Sequence, residues 1–583
     1  MNQRNVLLAV MLSALLLLGW DALVGYLYPN ARDAAGTRVD TPSEQVAERA
    51  GPTQHSRTGG LDPAGMVLER RALKTALAGG NRVAIDAPRL SGSIDLATGT
   101  IDDITLKDYR ETVEPGSPPV RLFSPLGTPA QHLAEFGFLA NGARLPAGPW
   151  QADGARLTPQ TPVTISKQAG GLTYRIRFSI DENFMIRAEQ RADNPGPAGV
   201  VVQPYALINR TDRTASLDQM FVHSGPMGVF GGAADYDVEY ETLVEDGPVA
   251  PRSRVGWTGF TDIYWLSALV PQAGVDASGG FRALGNSLYR ADLLYNPVTL
   301  APGTAISRTT QLFAGAKESR VLDAYEAAGI PQFSFAIDWG WFRWFIRPFL
   351  WLLQTLFAFT QNFGVAIILL TVVVRALLFP IAQKGFASMA AMKAITPKMK
   401  ELQTRYKDDK LKQQQEMQAL FKAEGVNPLA GCLPLLLQMP ILYALYKVFV
   451  LAIDMRHQPF VLWYKDLSAP DPAMILNLFG LLPFTPPAFL GIGVLAVLLG
   501  VTMWLTFKLN PAPADPIQQQ MFAIMPWVLM FAMAPFAAGL LLYWTTSNIL
   551  TIAQQKYLYS RHPQLKKAVE EERAAARAAA SKA

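Results

Sequence analysis

One arginine inside a long apolar run constrains this chain more than any other feature of its sequence. The run extends from Val365 to Phe379 and contains Arg375, with no acidic residue close to it in sequence. On insertion scales, a charge at the centre of a membrane helix costs about 2.5–3.5 kcal/mol. Because that cost calls for a compensating role, Arg375 is a candidate functional residue within a membrane-spanning segment.

A basic segment follows the arginine-containing run. Residues 383–426 carry nine lysines and arginines against five acidic residues, and the positive-inside rule places such a loop in the cytoplasm. Its apolar residues recur at threes and fours up to Leu402, which predicts a first helical arm. Residues 411–421 are the second arm, after a turn at Asp408–Asp409, and we expect Pro397 to kink the first arm. The sequence therefore predicts a cytoplasmic helical hairpin.

The N-terminal segment has the pattern of an uncleaved membrane anchor. Half of all residues are hydrophobic and 17% are charged, below the roughly 25% of soluble domains. Residues 6–27 form an apolar run, interrupted by Asp21, that is long enough to span a bilayer, and Arg4 favours a cytoplasmic N-terminus. We therefore predict a signal-anchor span over 1–28 and an extracytoplasmic flexible linker over 29–60, which is rich in small and polar residues.

The texture of residues 61–335 is that of a β domain. Short alternating stretches are separated by Gly, Pro, Asn and Asp, and Leu172–Ile180 is one example. Period-2 alternation with such turns predicts antiparallel strands, and the length suits one large two-sheet sandwich. The Gly- and aromatic-rich stretches 225–232 and 256–265 either line a cleft or fill the core, and core packing is the favoured interpretation.

The stretch 336–360 is dense in tryptophan and phenylalanine and predicts an amphipathic helix lying in the lipid headgroup region. Arg343 and Arg347 are four residues apart, so they share one face of that helix. A single very long spanning helix is the alternative. The break at residues 361–364 favours the interfacial helix.

The apolar segments within residues 361–560 predict a membrane core of five further spans. With the N-terminal anchor they make six, so both termini and the basic tail 561–583 are predicted to be cytoplasmic. Residues 472–487 are apolar but broken by prolines, and we expect this segment to follow the membrane surface. The predicted spans of the core are 363–380, 429–453, 488–507, 521–536 and 539–559.

Uncharged polar side chains are few in these predicted spans, and they suggest a partner set for Arg375. If these side chains face one another, they form a polar concavity within the membrane. Besides Arg375, the candidates for this site are Thr371, Gln438, Tyr543, Trp544 and Asn548.

Three interpretations of Arg375 remain open at this point. In the first, its side chain reaches the cytoplasmic headgroups and has no other role. In the second, it binds an anionic solute in a transporter. Ion-coupled transport usually uses intramembrane carboxylates, and the five spans of the core contain none. In the third, a partly hydrated groove receives polar or acidic segments of another polypeptide as that polypeptide crosses the bilayer.

The sequence lacks the residue patterns of a disulfide, a metal site, a phosphate-binding loop and a catalytic nucleophile. A single cysteine, Cys432, excludes an intrachain disulfide, and the five histidines form no metal-spaced pair. The sequence has no Gly-rich phosphate-binding stretch ending in Gly-Lys-Ser/Thr. No nucleophile–base motif is evident either. We therefore expect no enzyme activity, no cofactor and no metal.

Seven short stretches of the sequence match one known family pattern. They are Asp262–Trp265, Leu370–Pro380, Met392–Lys400, Asn427–Ile441, Gly500–Met503, Asp515–Gln519 and Gly539–Asn548. With these stretches the chain resembles the YidC family of membrane protein insertases, in its long Gram-negative form, over nearly its whole length. The match is specific because the stretches occur together.

The resemblance implies both a fold and a function. The implied fold is a polytopic α-helical membrane protein with a periplasmic antiparallel β-supersandwich on five conserved core helices, preceded by one extra helix. Arg375, Thr371, Gln438 and Trp544 are implied to line a hydrophilic groove that is open to the cytoplasm and lipid and closed toward the periplasm. The implied function is insertion and folding of inner-membrane proteins, alone or with the Sec translocon, without nucleotide hydrolysis.

The implied partners are nascent membrane proteins, a Sec-type translocon, the ribosome or signal-recognition machinery, and membrane lipids, all at a bacterial inner membrane. The hairpin 383–426 is implied to help recruit clients. Two features depart from the family pattern: Phe507 stands where a glutamine is frequent, and the insertion at 476–487 is longer than expected. A membrane-anchored periplasmic carbohydrate-binding or carbohydrate-processing protein is the rival from another class, although five spans after the β domain exceed what anchoring needs.

Overall fold

The computed structural model describes residues 59–561 except 62, 80, 217–221, 408, 426–432, 480–481, 483–490 and 510–515. The predicted span 1–28, nearly all of the linker 29–60 and the tail after Arg561 lie outside the described residues. The chain separates into two compact units, Met1–Asp338 and Trp339–Ala583.

The first unit is built mainly from strands, with three helices. The helices are α1 Pro63–Ala78, α2 Tyr240–Glu245 and α3 Ser319–Ala327. The strands are β1 Arg82–Asp86, β2 Leu90–Asp95, β3 Thr100–Arg110, β4 Pro119–Phe123, β5 His132–Ala140, β6 Ala143–Arg144, β7 Gln151–Ala152, β8 Arg156–Leu157, β9 Val163–Ala169, β10 Leu172–Ile180, β11 Met185–Asp193, β12 Val200–Thr211, β13 Gly225–Phe230, β14 Ala233–Asp235, β15 Val255–Thr261, β16 Trp265–Val270, β17 Ala277–Gly285, β18 Leu288–Tyr295, β19 Val298–Leu300 and β20 Ala305–Ala316.

These strands form two sheets. The larger sheet has eleven strands, with the main order β17-β18-β12-β5-β3-β2-β1-β8, and the smaller has nine, in the order β14-β13-β15-β16-β20-β11-β10-β9-β7. Most neighbours pair antiparallel, as predicted from the alternation. One pair departs from that prediction, because β1 and β8 run parallel, with Ala84 opposite Arg156.

Strand β10 shows why the alternating sequence folds this way. Its apolar residues from Leu172 to Ile180 are buried at every second position, and Arg175 and Arg177 between them are exposed. Successive side chains of a strand point to opposite faces, so one face packs into the core and the other meets water. Antiparallel pairing with β11 sets Ile176 opposite Gln190, which lies in the same buried layer.

The aromatic stretches of the β unit belong to its core. Phe230, Trp257, Tyr264 and Trp265 are all buried. Their rings pack edge-on against neighbours such as Phe333, whose centroid lies 5.6 Å from that of Trp257. The interpretation of these stretches as core rather than cleft is therefore confirmed.

The second unit is helical in its described part. Its helices are α4 Arg343–Thr360, α5 Phe363–Arg405, α6 Lys410–Ala423, α7 Leu433–Leu451, α8 Val494–Leu509, α9 Pro516–Met533 and α10 Ala538–Arg561. The break between α4 and α5 lies where the sequence predicts it. Gln361 ends α4 in the left-handed region with a φ of 53°, and the side chain of Asn362 caps α5 by accepting a hydrogen bond from the Val365 amide.

Helix α5 is longer than the predicted second span. It continues for 43 residues through Pro380 and Pro397, so the predicted span 363–380 and the first arm of the hairpin form one helix. A proline inside a helix removes one backbone donor and kinks or breaks the helix in many proteins. Here neither proline ends the helix, and α5 stops only at Arg405, just before the predicted turn.

One helix of the described part is both long and apolar enough to cross a bilayer, namely Phe363–Ala387 within α5. Leu437–Leu451, Val494–Leu509 and Gln520–Met533 are shorter apolar helices. The six spans therefore stay a prediction. The expected surface-following segment 472–487 lies partly outside the described residues, although Met474 forms an isolated bridge with Gly493.

Candidate functional site

Arg375 is fixed by a neighbouring helix. It projects from α5, and its Nε donates a hydrogen bond to the Ser547 hydroxyl of α10 over 3.0 Å. Nη2 of the same guanidinium donates to the same oxygen. Arg375 has no ion pair with any carboxylate among the residues that the structure describes. The guanidinium is thus oriented by a neutral group that leaves its charge uncompensated.

Two further predicted residues extend this contact into a network across three helices. The Ser547 side chain interacts with that of Tyr543, one turn earlier on α10. The Gln438 amide of α7 donates to the Tyr543 hydroxyl over 2.8 Å. Both Ser547 and Tyr543 are buried. Arg375, Ser547, Tyr543 and Gln438 therefore form one continuous chain of polar groups from α5 through α10 to α7.

Asn548 contacts α8, a helix that the other predicted site residues do not bond to in the described part of the chain. Its side-chain amide donates to the Thr502 hydroxyl of α8 over 3.2 Å. That hydroxyl donates in turn to the Leu498 carbonyl over 2.7 Å. Because Ser547 and Asn548 are consecutive on α10, the helix joins the arginine network on one side to α8 on the other.

The structure leaves the two remaining predicted residues outside these bonds. Thr371 is buried on α5, but its hydroxyl donates to the Ile367 carbonyl of its own helix over 2.7 Å. Ser and Thr hydroxyls within helices often donate a hydrogen bond to the carbonyl four residues earlier. Trp544 is half-buried on α10. The site thus has Arg375, Gln438, Tyr543 and Asn548 in its bonded network, with Thr371 one turn before Arg375.

Sequence reasoning missed two polar residues that the structure buries in the same unit. Lys447 lies in α7, inside the predicted third span, and is 1% exposed. A lysine within the apolar run Leu433–Leu451 is visible in the sequence and carries the same signal as Arg375. Asp471, in the loop after α7, is also buried. No sequence pattern marks Asp471, because one of its hydrogen-bond donors, the Leu495 amide, belongs to a helix that begins after the loop.

The predicted hairpin has a small core of its own. Ile395 and Met399 of α5 are buried against the partly buried Met417, Leu420 and Phe421 of α6. Lys398 forms an ion pair with Glu424 over 2.6 Å, between the same two helices. These contacts bring the two predicted arms together.

Phe507 has a packing role where the family pattern has a glutamine. Its ring lies 5.3 Å, centroid to centroid, from that of Phe522 on α9. The aromatic contact joins α8 to α9. At this position the chain has an apolar contact between helices in place of the polar side chain of the family pattern.

The β unit contains a cleft that bears on the carbohydrate-binding rival. The cavity measures about 620 Å³ and is lined in part by Arg82, Asp102, Glu135, Arg144 and Tyr205. Burial raises the pKa of Asp102 to about 6, although Arg82 pairs with it. Arg144 lies 3.6 Å from Glu135 and over the Tyr205 ring. The charged side chains of the cleft thus pair with each other, and Arg144 covers the aromatic face. This arrangement does not favour a sugar-binding site.

Metal ligation finds no support in the part of the chain that the structure describes. No group of three or more His, Cys, Asp or Glu side chains lies close enough there to hold a metal ion.

A β-sandwich unit followed by apolar helices, two of which are joined through a partly buried arginine, defines a class of integral membrane protein with a large extramembrane domain. Comparison with known proteins agrees. Residues 355–566 match a family model described as the 60Kd inner membrane protein. Residues 82–352 match the model of the YidC periplasmic domain. The chain belongs to the YidC family.

Relatives of this chain match it from end to end. A protein of Rhizobium johnstonii named membrane protein insertase YidC is 41% identical over 577 residues, covering 96% of each chain. A protein of the same name from Zymomonas mobilis is 40% identical over 573 residues, again covering 96% of each chain. A crystal structure described as an active YidC insertase with its first transmembrane domain resolved covers 82% of this chain and 93% of its own, with 18% identity and a TM-score of 0.37.

Proposed function

We propose that this chain inserts nascent inner-membrane proteins through a hydrophilic groove centred on Arg375. The observation that carries the proposal is the bond between Arg375 and the neutral Ser547, which orients the guanidinium without compensating its charge. An acidic segment of a client meets a cation that is already positioned. Charge-assisted hydrogen bonds of this kind are roughly twice as strong as neutral ones.

The attraction is suited to transient binding. Two unit charges about 4 Å apart attract by about 1 kcal/mol in water and about 4 kcal/mol at an effective dielectric constant of about 20. A partly hydrated groove lies between these limits. Arg375 therefore holds a translocating carboxylate long enough to guide it and releases it as the client moves on.

The client itself supplies the free energy of insertion. A spanning helix carries about 20 apolar residues, and each large apolar side chain gains roughly 1.5–3 kcal/mol on leaving water. That sum exceeds the holding energy at Arg375 by a wide margin. The helix therefore partitions from the groove into lipid, and this step needs no nucleotide hydrolysis.

The other groove residues offer exchangeable hydrogen bonds. Gln438 and Tyr543 bond to each other in the free protein, and each can turn to a client backbone amide or carbonyl at a small net cost, since a neutral hydrogen bond is worth about 0.5–1.5 kcal/mol. Trp544, half-buried on the same helix, offers an apolar surface with one N–H donor. Thr371 and Asn548 complete the polar lining.

The proposed topology has the termini in the cytoplasm and six spans. In it residues 29–335 are periplasmic, α4 lies along the outer headgroups, and the hairpin 383–426 is cytoplasmic. The exposed Trp344 and Trp351 of α4 support the interfacial position of that helix, because tryptophan favours the boundary between water and lipid. Within 361–560 the helices α5, α7, α8, α9 and α10 are the five spans of the core.

The hairpin is the proposed contact with the machinery that delivers clients. Its surplus of lysine and arginine suits the ribosome or signal-recognition machinery, and the same charge suits anionic lipid headgroups. A Sec-type translocon is the proposed partner for clients that this chain does not insert alone.

The alternatives explain less of the site. An arginine whose only role is to reach the headgroups does not need the bonds from Arg375 to Ser547 on another helix. A proton- or ion-coupled transporter usually needs carboxylates among its spans, and Arg375 has none paired with it in the described residues.

Charge substitution at Arg375 tests the proposal. Arg375→Ala is expected to lower insertion of clients with acidic translocated segments by about tenfold, the factor that about 1.4 kcal/mol of lost attraction gives. Clients with uncharged segments are expected to be much less affected, and Arg375→Lys is expected to be nearly neutral for both. Insertion of paired clients into proteoliposomes measures this. Equal tolerance of Ala by both kinds of client would remove the electrostatic role.

Photocrosslinking tests the location of the groove. A photoreactive residue at position 438 or 544 is expected to form adducts with nascent membrane chains during insertion. The matched control is position 359, where Phe359 is mostly exposed on α4. Adducts from 359 alone would argue against a client path beside Gln438.

A further inference from the structure

The loop between α7 and α8 is fastened to the start of α5. Residues 452–475, named here the clamp loop, include Phe460, whose carbonyl accepts a hydrogen bond from the Asn362 side chain over 3.2 Å. The same Asn362 caps α5 by accepting from the Val365 amide over 3.1 Å. The Phe460 ring lies so close to Gly364 that an added Cβ would sit 1.9 Å from it. The loop therefore holds the first turn of α5 through both polar and packing contacts.

The same loop holds the start of α8 through one buried carboxylate. Asp471 Oδ2 accepts hydrogen bonds from the Leu495 amide of α8 over 2.9 Å and from the Tyr464 hydroxyl over 3.0 Å. Its Oδ1 accepts from the Ala473 amide over 3.0 Å. A Cβ added at Gly493 would lie 2.4 Å from the Asp471 Cβ, so only glycine fits beside it. Two donors from the loop itself and one from α8 thus converge on one side chain.

The start of α10 is the third attachment. The Ala538 amide donates to the Ala469 carbonyl, and the Gly539 amide donates to the Leu467 carbonyl, both over 2.8 Å. The first amides of a helix have no partner within the helix. The clamp loop supplies those partners, so it fixes the positions of three helix starts at once.

Further along the helices, away from the clamp loop, α5 and α10 make contacts of another kind. At mid-bundle α5 and α10 share the bond between Arg375 and Ser547. Further along, Leu558 packs on Ala382 and Phe386 through apolar contact alone. The clamped end differs in the number of attachments, because hydrogen bonds from one loop reach the starts of three helices there. The helices are therefore held most firmly at the clamped end.

We propose that Asp471 is the positioning residue of a fixed clamp that holds the starts of α5, α8 and α10 together while a client displaces the helices further along. The inference rests on the proposed insertase function. It assigns the loop two tasks. The clamp keeps that end of the groove closed to ions and small solutes, and it restores the bundle after the client has left.

The test uses the full chain in proteoliposomes and four variants. Asp471→Ala removes the shared acceptor, Asp471→Asn weakens it, and Tyr464→Phe deletes one donor with little risk to folding. The matched control is Asp466→Asn. Among the described residues, Asp466 accepts hydrogen bonds only from Ser468, which lies in the same loop. Hydrogen exchange at the Leu495 amide and passive proton leak are measured together with insertion.

Both Asp471 variants are expected to raise leak and to speed exchange at Leu495 by about tenfold or more, as loss of a hydrogen bond to a charged group implies. Tyr464→Phe is expected to give a smaller change in the same direction. Leak and exchange equal to those of Asp466→Asn would overturn the clamp. If the clamp variants leak but Arg375→Ala spares acidic clients, the groove proposal fails and the clamp stands.

Discussion

The two units of this protein treat buried charge in opposite ways. In the β unit, Arg210 and Asp262 are both nearly inaccessible and form an ion pair over 2.7 Å. In the helical unit, Arg375 donates to a serine hydroxyl and forms no ion pair with a carboxylate among the described residues. A paired charge in a core fixes one packing arrangement, whereas an oriented but uncompensated charge remains available to another molecule. The contrast separates residues that maintain the fold from a residue poised to bind.

The largest expected effect comes from breaking the pair in the β unit. Asp262→Ala leaves the Arg210 guanidinium buried without a counterion and also removes the acceptor of the Ser216 amide. Removing one partner of a buried pair costs about 3–5 kcal/mol. We expect the free energy of unfolding of the β unit to fall by that amount, measured by pulse proteolysis of the full chain in urea.

The control for that prediction is a surface pair in the same unit. Asp193→Ala removes the acceptor of Arg175, which is half exposed. Exposed pairs contribute about 0–1 kcal/mol, so this variant is expected to unfold nearly like the parent chain. A comparable fall in the free energy of unfolding for both variants would show that burial gives the Arg210–Asp262 pair no greater effect on stability than an exposed pair has.

The acid sensitivity of the β unit sharpens the same contrast. His132 is buried with its Nε2 2.9 Å from the Ser267 hydroxyl. Burial, reinforced by Arg210, holds the pKa of His132 well below its ordinary value. Below a pH of about 6.5 the unfolded chain binds a proton at this position that the folded chain does not. Stability is therefore full above that pH and falls as the pH drops toward the depressed pKa.

The expected slope is up to about 1.4 kcal/mol per pH unit below pH of about 6.5. His132→Gln is expected to flatten this part of the stability curve, and His223→Gln, at a partly buried histidine bonded to the Pro226 carbonyl, serves as the control. Unfolding in urea between pH values of about 5 and 7.5 gives the curves. Parallel curves for the parent and His132→Gln would contradict the prediction.

Parts of this contrast can be derived from sequence and parts cannot. Alternation in stretches such as Leu172–Ile180 is enough to predict antiparallel strands, because the period of a strand is local. The break at residues 361–364 and the two arms of the hairpin are local signals as well. Arg375 is visible because one charge in an apolar run is rare.

What the sequence does not contain is the identity of distant partners. Ser547 lies 172 residues from Arg375, and its hydroxyl looks like any other in the stretch Tyr543–Asn548. Asp471 resembles an ordinary loop acid until Tyr464, Ala473 and Leu495 converge on it. Lys447 differs from Asp471, since its apolar surroundings are plain in the sequence and mark it in the same way as Arg375.

A smaller effect is expected at the neutral end of the helical network. Gln438→Leu deletes one hydrogen bond to Tyr543 and leaves the bond from Arg375 to Ser547 in place. A neutral bond contributes about 0.5–1.5 kcal/mol, so thermal stability in detergent should fall slightly and insertion a few-fold at most. Met439→Leu, on the exposed neighbouring position, is the control. A loss as large as that from Asp262→Ala would show that the helical network is structural.

The smallest effect on insertion is expected from removing the β unit itself. Deleting most of 61–330 takes away the Arg210–Asp262 pair and its sheets but leaves Arg375 and its bonds, since every partner of Arg375 in the described residues lies in the helical unit. Insertion in proteoliposomes should remain largely intact, and Arg375→Ala in the deleted chain should still affect acidic clients most. Complete loss of insertion would mean that the β unit acts in the reaction. In that case the division between a structural charge and a binding charge would not coincide with the division between the two units.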